Sequence, residues 1–177
     1  GVNMISSEVR DGGPDMEKTT KDLSQSLRDL GLHTFRLKTG TPARILTSSI
    51  DFSKTQYEPG TDAFLRFSET TRQEDVRAFK DQVPCYLTYT TPETHEWILN
   101  NLNKSSMYSG VVKGVGPRYC PSIEDKLVRF KDKPRHLLFL EPESLSMDTT
   151  YIQGFSTSLP RDIQEHMVHS LPGFKDA

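Results

Sequence analysis

The sequence predicts an α+β fold: a mixed or antiparallel sheet with flanking helices. Three observations carry this expectation. Short aromatic and β-branched runs are interspersed with stretches of helical spacing. The two kinds of segment do not alternate in the regular βαβ order of a doubly wound sheet. The chain has 177 residues and no internal repeat, room for one or two domains with a proper core.

The elements follow in order. Residues 1–14 are mixed, and Asp11-Gly12-Gly13-Pro14 reads as a turn. From Asp15 onward Leu23, Leu27 and Leu30 recur on one helix face, with Gly31 at the C-terminal cap position. Thr34–Lys38 reads as a short strand that ends at Thr39-Gly40-Thr41-Pro42. Residues 46–82 are polar and uneven, an excursion expected to be mobile around one strand at Phe64–Phe67. Pro84–Tyr89 alternates and is aromatic, a strand signal. Thr91-Pro92-Glu93-Thr94 starts a helix, with a hydroxyl cap, Pro in the first turn and an acid near the positive end of the dipole. Trp97, Ile98 and Leu102 form its apolar side. Gly110–Lys113 can form a strand, and Ser122 can cap a short helix carrying Leu127 and Val128. Leu137–Leu140 reads as a short buried strand and Tyr151–Phe155 as a weaker one. Ser158 with Pro160 opens a last helix, whose Ile163, Met167 and Leu171 share a face.

Composition narrows the function classes. With 22 Lys+Arg against 24 Asp+Glu the net charge is −2, which argues against a generally basic nucleic-acid protein while leaving room for a local patch. Only 34% of residues are hydrophobic, so part of the surface is expected to be covered by something else. No run approaches the ~18 apolar residues of a membrane span, and Cys85 and Cys120 cannot build a disulfide framework, which points to a reducing, cytoplasmic setting. The opening Gly1-Val2-Asn3-Met4 is neither an ordinary start nor a signal, and a piece of a longer protein is expected.

The richest chemistry lies in Gly114–Lys126 (GVGPRYCPSIEDK). Gly114 and Gly116 would let a backbone approach a phosphate, but Tyr119 stands where a third glycine belongs, so a tight loop explains them equally well. Cys120 precedes a helix start and lies two residues from Arg118, influences that favour a nucleophilic thiolate; the alternative is a small packed residue. Cys85, mid-strand, reads as packing. If extended, Arg129, Lys131, Lys133 and Arg135 would share one face and suit phosphates; otherwise they line a solvated loop. His33, His95, His136, His166 and His169 lack ligand partners at metal spacing, and no metal site is expected. Two broader alternatives stay open: a stand-alone α+β binding module with Gly114–Ser122 as its recognition loop, or a thiol enzyme pairing Cys120 with His95 or His136.

Five ordered segments resemble one family: Arg36–Ile45 (RLKTGTPARI), Met107–Gly110 (MYSG), Gly114–Lys126, Phe139–Glu143 (FLEPE) and Ser156–Gln164 (STSLPRDIQ). They are similar to the large flavin-dependent subunit of the tRNA wobble-uridine 5-carboxymethylaminomethyl modification enzyme, the MnmG or GidA family. The resemblance spans roughly residues 32–177 and implies an internal piece of a flavoprotein with two dinucleotide-binding domains. On that reading residues 1–40 are part of the FAD domain, 41–155 an inserted NAD(H)-binding-type domain, and 156–177 the return segment. It further implies addition of a carboxymethylaminomethyl or aminomethyl group to C5 of the wobble uridine, with FAD, NADH, methylenetetrahydrofolate as cosubstrate, a GTPase partner, tRNA and a homodimer of the full-length protein. Cys120 matches a cysteine proposed to attack the uracil ring. The nicotinamide dinucleotide stretch maps onto Gly116, Pro117, Arg118, Tyr119, Cys120, Pro121 and Ser122. It continues through Ile123, Glu124, Asp125, Lys126, Leu127, Val128, Arg129 and Phe130. Arg118 and Lys126 match charged positions suited to phosphate or tRNA, and Thr20 falls where a flavin-contacting Ser is usual. The family's N-terminal glycine-rich loop, a second cysteine and the C-terminal helical region are absent from these residues, so the piece is expected to be inactive alone and to bind FAD poorly.

Overall fold

A computed structural model describes residues 2–13, 17–110, 114, 116 and 121–177. Its principal sheet contains β3 (Arg44–Leu46), β4 (Gln56–Glu58), β5 (Cys85–Tyr89), β6 (Leu137–Pro142) and β7 (Thr149–Gln153), after an N-terminal hairpin of β1 (Val2–Ile5) and β2 (Glu8–Asp11). The five strands are ordered β3-β7-β6-β5-β4 and every pairing is antiparallel. The helices are α1 (Leu23–Asp29), α2 (Pro92–Asn100), α3 (Ile123–Arg129) and α4 (Arg161–His169).

The central strand shows why one face of the sheet makes the core. Side chains alternate across a strand, so Leu138 and Leu140 point into the core while Leu137 and Phe139 remain 38% exposed on the opposite face. LLFL is therefore half-buried, not a strand buried on both sides. Ile152 of β7 and Ile45 of β3 extend the inner face. Ile98 of α2, Ile123 and Leu127 of α3, and Ile163 and Met167 of α4 close over it. Leu159, Leu171 and Phe174 join the same core, so residues 156–177 pack directly against the sheet. On the open face Arg44 sits over Tyr151 at 4.6 Å and Arg135 over Tyr89 at 4.0 Å.

Local chemistry sets the helix ends. Thr91 and Thr94 form a reciprocal capping box at α2, with Pro92 in its first turn. At the end of α1, Gly31 has φ +79°, and the amides of Leu32 and Gly31 donate to the carbonyls of Leu27 and Arg28. That is the glycine-terminated arrangement expected for residue 31. Nevertheless α1 buries no side chain. Leu30, Leu32, Phe35 and Leu37 are also well exposed, an apolar strip without cover among the described residues.

Several expectations change. The excursion's strand is β4, not Phe64–Phe67: Gln82 donates to the Thr61 carbonyl and accepts from its amide, closing the segment as a loop that leaves Phe64, Leu65 and Phe67 exposed. Thr34–Lys38 forms no named strand. Residues 2–11, read as mixed, form the hairpin. Gly110–Lys113 falls largely on residues 111–113, outside the described residues. Ser158 does not cap the last helix, whose N-terminal flank is Pro160 without a side-chain cap bond.

Leu138 is fully buried, so Leu138→Ala should lower unfolding stability by about 2–5 kcal/mol, whereas Phe67→Ser should change it by no more than ~0.5 kcal/mol. Urea unfolding of the two variants checks the contrast.

Candidate functional site

The motif segments that lie apart in sequence meet at the N-terminus of α3. Thr41 and Thr157 form an isolated antiparallel bridge, and the Ile123 amide donates to the Ser156 carbonyl at 2.7 Å. The amides of Ser6 and Ser106 both donate to the Ser158 carbonyl. Gly114 touches the same neighbourhood. It holds φ +134°, and a Cβ there would lie 3.0 Å from the Arg36 carbonyl oxygen, so a side chain would need both a disfavoured backbone and space that is already occupied. Gly114 thus lies against Arg36, and Ser122 caps the start of α3.

At that start, the Ser122 hydroxyl accepts from the Asp125 amide at 3.2 Å, a side-chain N-cap. Asp125 in turn accepts from the Tyr108 hydroxyl at 3.0 Å. Partial burial, that hydrogen bond and the neighbouring Asp125 and Glu124 charges push the Tyr108 pKa up to about 12, against an opposing pull from Arg129. At neutral pH Tyr108 is therefore a neutral donor. Lys126 donates to the Gly154 carbonyl at 2.8 Å.

Glu124 faces inward and is fully buried. Its Oε1 accepts from Ser105 Oγ at 3.1 Å, Thr157 Oγ1 at 2.9 Å and the Ser158 amide at 3.2 Å. Ser158 Oγ pairs with Ser105 Oγ at 2.8 Å and accepts from the Met107 amide. Oε2 of Glu124 is buried without a partner.

The predicted site residues divide clearly. Ser122, Ile123, Glu124 and Leu127 are buried; Pro121, Asp125 and Lys126 are half-buried; Gly116, Val128, Arg129 and Phe130 are exposed. Pro117, Arg118, Tyr119 and Cys120 lie outside the described residues. Thr20 is exposed and lines a cleft of about 630 Å³ with Lys21, Arg28, Phe35 and Arg36. Arg36 links that cleft to Gly114. The four cations from Arg129 to Arg135 do not form an extended face: Arg129 ends α3, a turn follows, and Arg135 sits against Tyr89.

The remaining candidates have structural partners. Burial, with Glu141 and Glu58 nearby, pushes the Cys85 thiol up in pKa and away from the reactive form. His166 stacks on Trp97, with ring centroids 3.9 Å apart, and His169 meets the Ala177 carbonyl. Among the described residues, no group of three or more His, Cys, Asp or Glu is placed to hold a metal ion, and no helix is long and apolar enough to cross a membrane. Sequence reasoning missed Ser105, which carries no local signal, gave Tyr108 no role although it lies in the MYSG motif, and misassigned Ser158 as a cap.

Comparison with known proteins addresses this geometry as a whole. The model of the family described as glucose inhibited division protein A matches residues 1–177. The chain belongs to that family. A Streptococcus sanguinis relative named tRNA uridine 5-carboxymethylaminomethyl modification enzyme MnmG is 54% identical over 165 residues, covering 93% of this chain and 26% of the relative. A Bacillus subtilis relative of the same name is 52% identical over 164 residues, with the same coverage. Crystal form I of Aquifex aeolicus GidA superposes with a TM-score of 0.85 at 45% identity, covering 99% of this chain and 30% of that one. The chain therefore spans about a quarter of the length of the curated relatives it matches.

Two histidines beside this region make the fold pH-sensitive. His95 and His136 have ring centroids 5.5 Å apart, and Thr90 Oγ1 lies 2.7 Å from His95 Nε2 while accepting from the His136 amide. Burial lowers both pKa values from the ordinary 6.5; the charges of His95, Lys126 and Lys133 lower His136 further. The unfolded chain then takes up protons first. Stability should be full above about pH 6.5 and fall as the pH drops toward the folded-state values. Thermal unfolding across a pH series checks this, and His95→Gln/His136→Gln should flatten the slope.

Proposed function

We propose that the chain is the inserted portion of a flavin-dependent enzyme that adds a carboxymethylaminomethyl or aminomethyl group to C5 of the wobble uridine of tRNA. The observation that carries this reading is the 52–54% identity, over 93% of the chain, to proteins named for that modification. The meeting of residues 41, 107, 123 and 156–158 supports it, because it joins four of the five motif segments that resemble that family. Residues 1–40 belong to the FAD domain, 41–155 form the inserted domain, and 156–177 lead back toward the FAD domain. The uncovered apolar strip from Leu30 to Leu37 favours a first segment that leans on the rest of a longer protein.

Cys120 is the nucleophile in this proposal. Its thiolate adds to C6 of the uracil ring, forming an S–C6 bond and moving the C5=C6 electron pair toward C5 and the C4 carbonyl oxygen. C5 then bonds the methylene carbon of methylenetetrahydrofolate as one of that carbon's two folate C–N bonds breaks, and an amine (ammonia or glycine) replaces the second folate nitrogen, releasing tetrahydrofolate. Loss of the C5 proton and departure of the thiolate restore the C5=C6 bond. Arg28 and Arg36 around the cleft at Thr20 offer charges toward the pyrophosphate of FAD, while Lys21 there is paired with Asp11. Gly116, Arg129 and Phe130 are exposed and can meet the nicotinamide dinucleotide, whereas Ile123, Glu124 and Leu127 point inward and support that surface from behind. Bound FAD and NADH would supply the accompanying redox chemistry. A GTPase partner, tRNA and a second full-length copy complete the cytoplasmic assembly.

In the full-length protein, Cys120→Ser is expected to abolish uridine modification while the flavin absorbance is retained. Mass spectrometry of digested tRNA reads the modification. Wild-type turnover in the variant would contradict the covalent role, and an unmodified wobble uridine with the wild-type protein and its cosubstrates would contradict the reaction.

A further inference from the structure

We infer that the open face of the sheet, at the end where β5 and β6 carry Tyr89, Leu137 and Phe139, is a stacking platform for unpaired RNA bases. The inference rests on the proposed reading for the RNA concerned, tRNA, and on this face alone for the surface.

Pleat and register bring these side chains together. Leu138 and Leu140 turn into the core, so Leu137 and Phe139 stand exposed on the other side of β6. Tyr89 pairs directly with Leu137, Leu87 with Phe139, and Phe139 with the exposed Gln153 of β7. One surface thus holds an aromatic ring from each of two adjacent strands, with an amide beside them. Diagonal positions on neighbouring strands lie about 7–8 Å apart, close enough for two successive bases to occupy both rings. Arg135 completes the seat. Its guanidinium carbon lies 4.0 Å from the centre of the Tyr89 ring, and the side chain is exposed. RNA bases stack on guanidinium planes as well as on aromatic rings.

Charge selects the class of partner. The chain as a whole carries −2, but this face is divided. Residues 129–135, which lead into β6, read RFKDKPR, four cations against Asp132, and Lys131, Lys133 and Arg135 are all exposed. The acids of the face lie at its other end, where Glu58 pairs with Cys85 and Glu141 is also near that thiol. There Arg44 is already engaged, bonded to Glu143 and set over Tyr151. A phosphate chain therefore fits along the basic turn, with its bases lying inward across Tyr89 and Phe139. Lysine is depleted from interfaces between proteins, so this rim favours RNA over a second copy of the chain.

The test uses the full-length protein and a tRNA transcript with 4-thiouridine in place of its loop uridines. Irradiation should cross-link it to peptides covering 85–91 or 135–141. Fluorescence anisotropy should show Phe139→Ala and Arg135→Gln each weakening tRNA binding about tenfold, and Phe139→Tyr staying within about twofold of wild type. Binding of a fully paired RNA duplex should not change. Arg135→Gln removes no buried side chain, so it carries the measurement even if Phe139→Ala unfolds. Cross-links confined to other surfaces, or an unchanged tRNA affinity in Arg135→Gln, overturn the platform. An equal loss for the duplex overturns the stacking role. A change of oligomeric state by light scattering with tRNA affinity intact makes the face an interface between copies and overturns it too. If the wild-type protein modifies no wobble uridine, the proposed reaction fails, while the cross-link map still decides the platform.

Discussion

Buried Glu124, with no cation paired to it among the described residues, ties together the centre of this molecule. A buried polar group left without a hydrogen bond costs about 1–3 kcal/mol. Glu124 meets this constraint by recruiting hydroxyls and an amide from the 105 and 157–158 segments. The Thr41–Thr157 bridge and the Ile123–Ser156 hydrogen bond then become parts of one junction. The five motif segments are scattered over more than a hundred residues of sequence, yet four of them touch at this point.

The sheet supplies the frame. Its helices lie over one face, so the core is a single layer of aliphatic contacts among Leu138, Leu140, Ile152 and the inward sides of α2, α3 and α4. Because α3 contributes Ile123 and Leu127 to that layer, its N-terminus cannot move far without opening the core. Packing thus fixes one side of the helix, and the Glu124 network fixes the other. In sequence, Cys120 stands three residues before this element.

What was legible in the sequence depended on whether the signal was local. The capping box at Thr91, the Ser122 cap, the glycine stop at residue 31 and the strand at 85–89 each follow from a few adjacent residues, and each is present. The expectation failed where partners lie far away. Phe64–Phe67 has a strand-like composition but no neighbouring strand to complete a ladder, while Gln56–Glu58, with weaker propensity, pairs with β5. Ser158 looked like a cap because Pro160 follows it; its hydroxyl is taken instead by Ser105 and Met107, roughly fifty residues away. Glu124 was legible as a first-turn acid of α3, but its burial depends on segments that no local pattern connects. The family, by contrast, was legible from five short motifs in order, and the match covers the whole chain.

The proposed role of Cys120 as the nucleophile toward the uracil ring is directly testable. The most direct test is to incubate the full-length protein and its cosubstrates with tRNA carrying 5-fluorouridine at the wobble position, then map any adduct by peptide mass spectrometry. Fluorine at C5 cannot leave as a proton does, so the S–C6 bond should persist. The account predicts a uridine-bearing peptide linked through Cys120. Linkage through another residue, or no adduct from a protein that readily modifies ordinary tRNA, would contradict it.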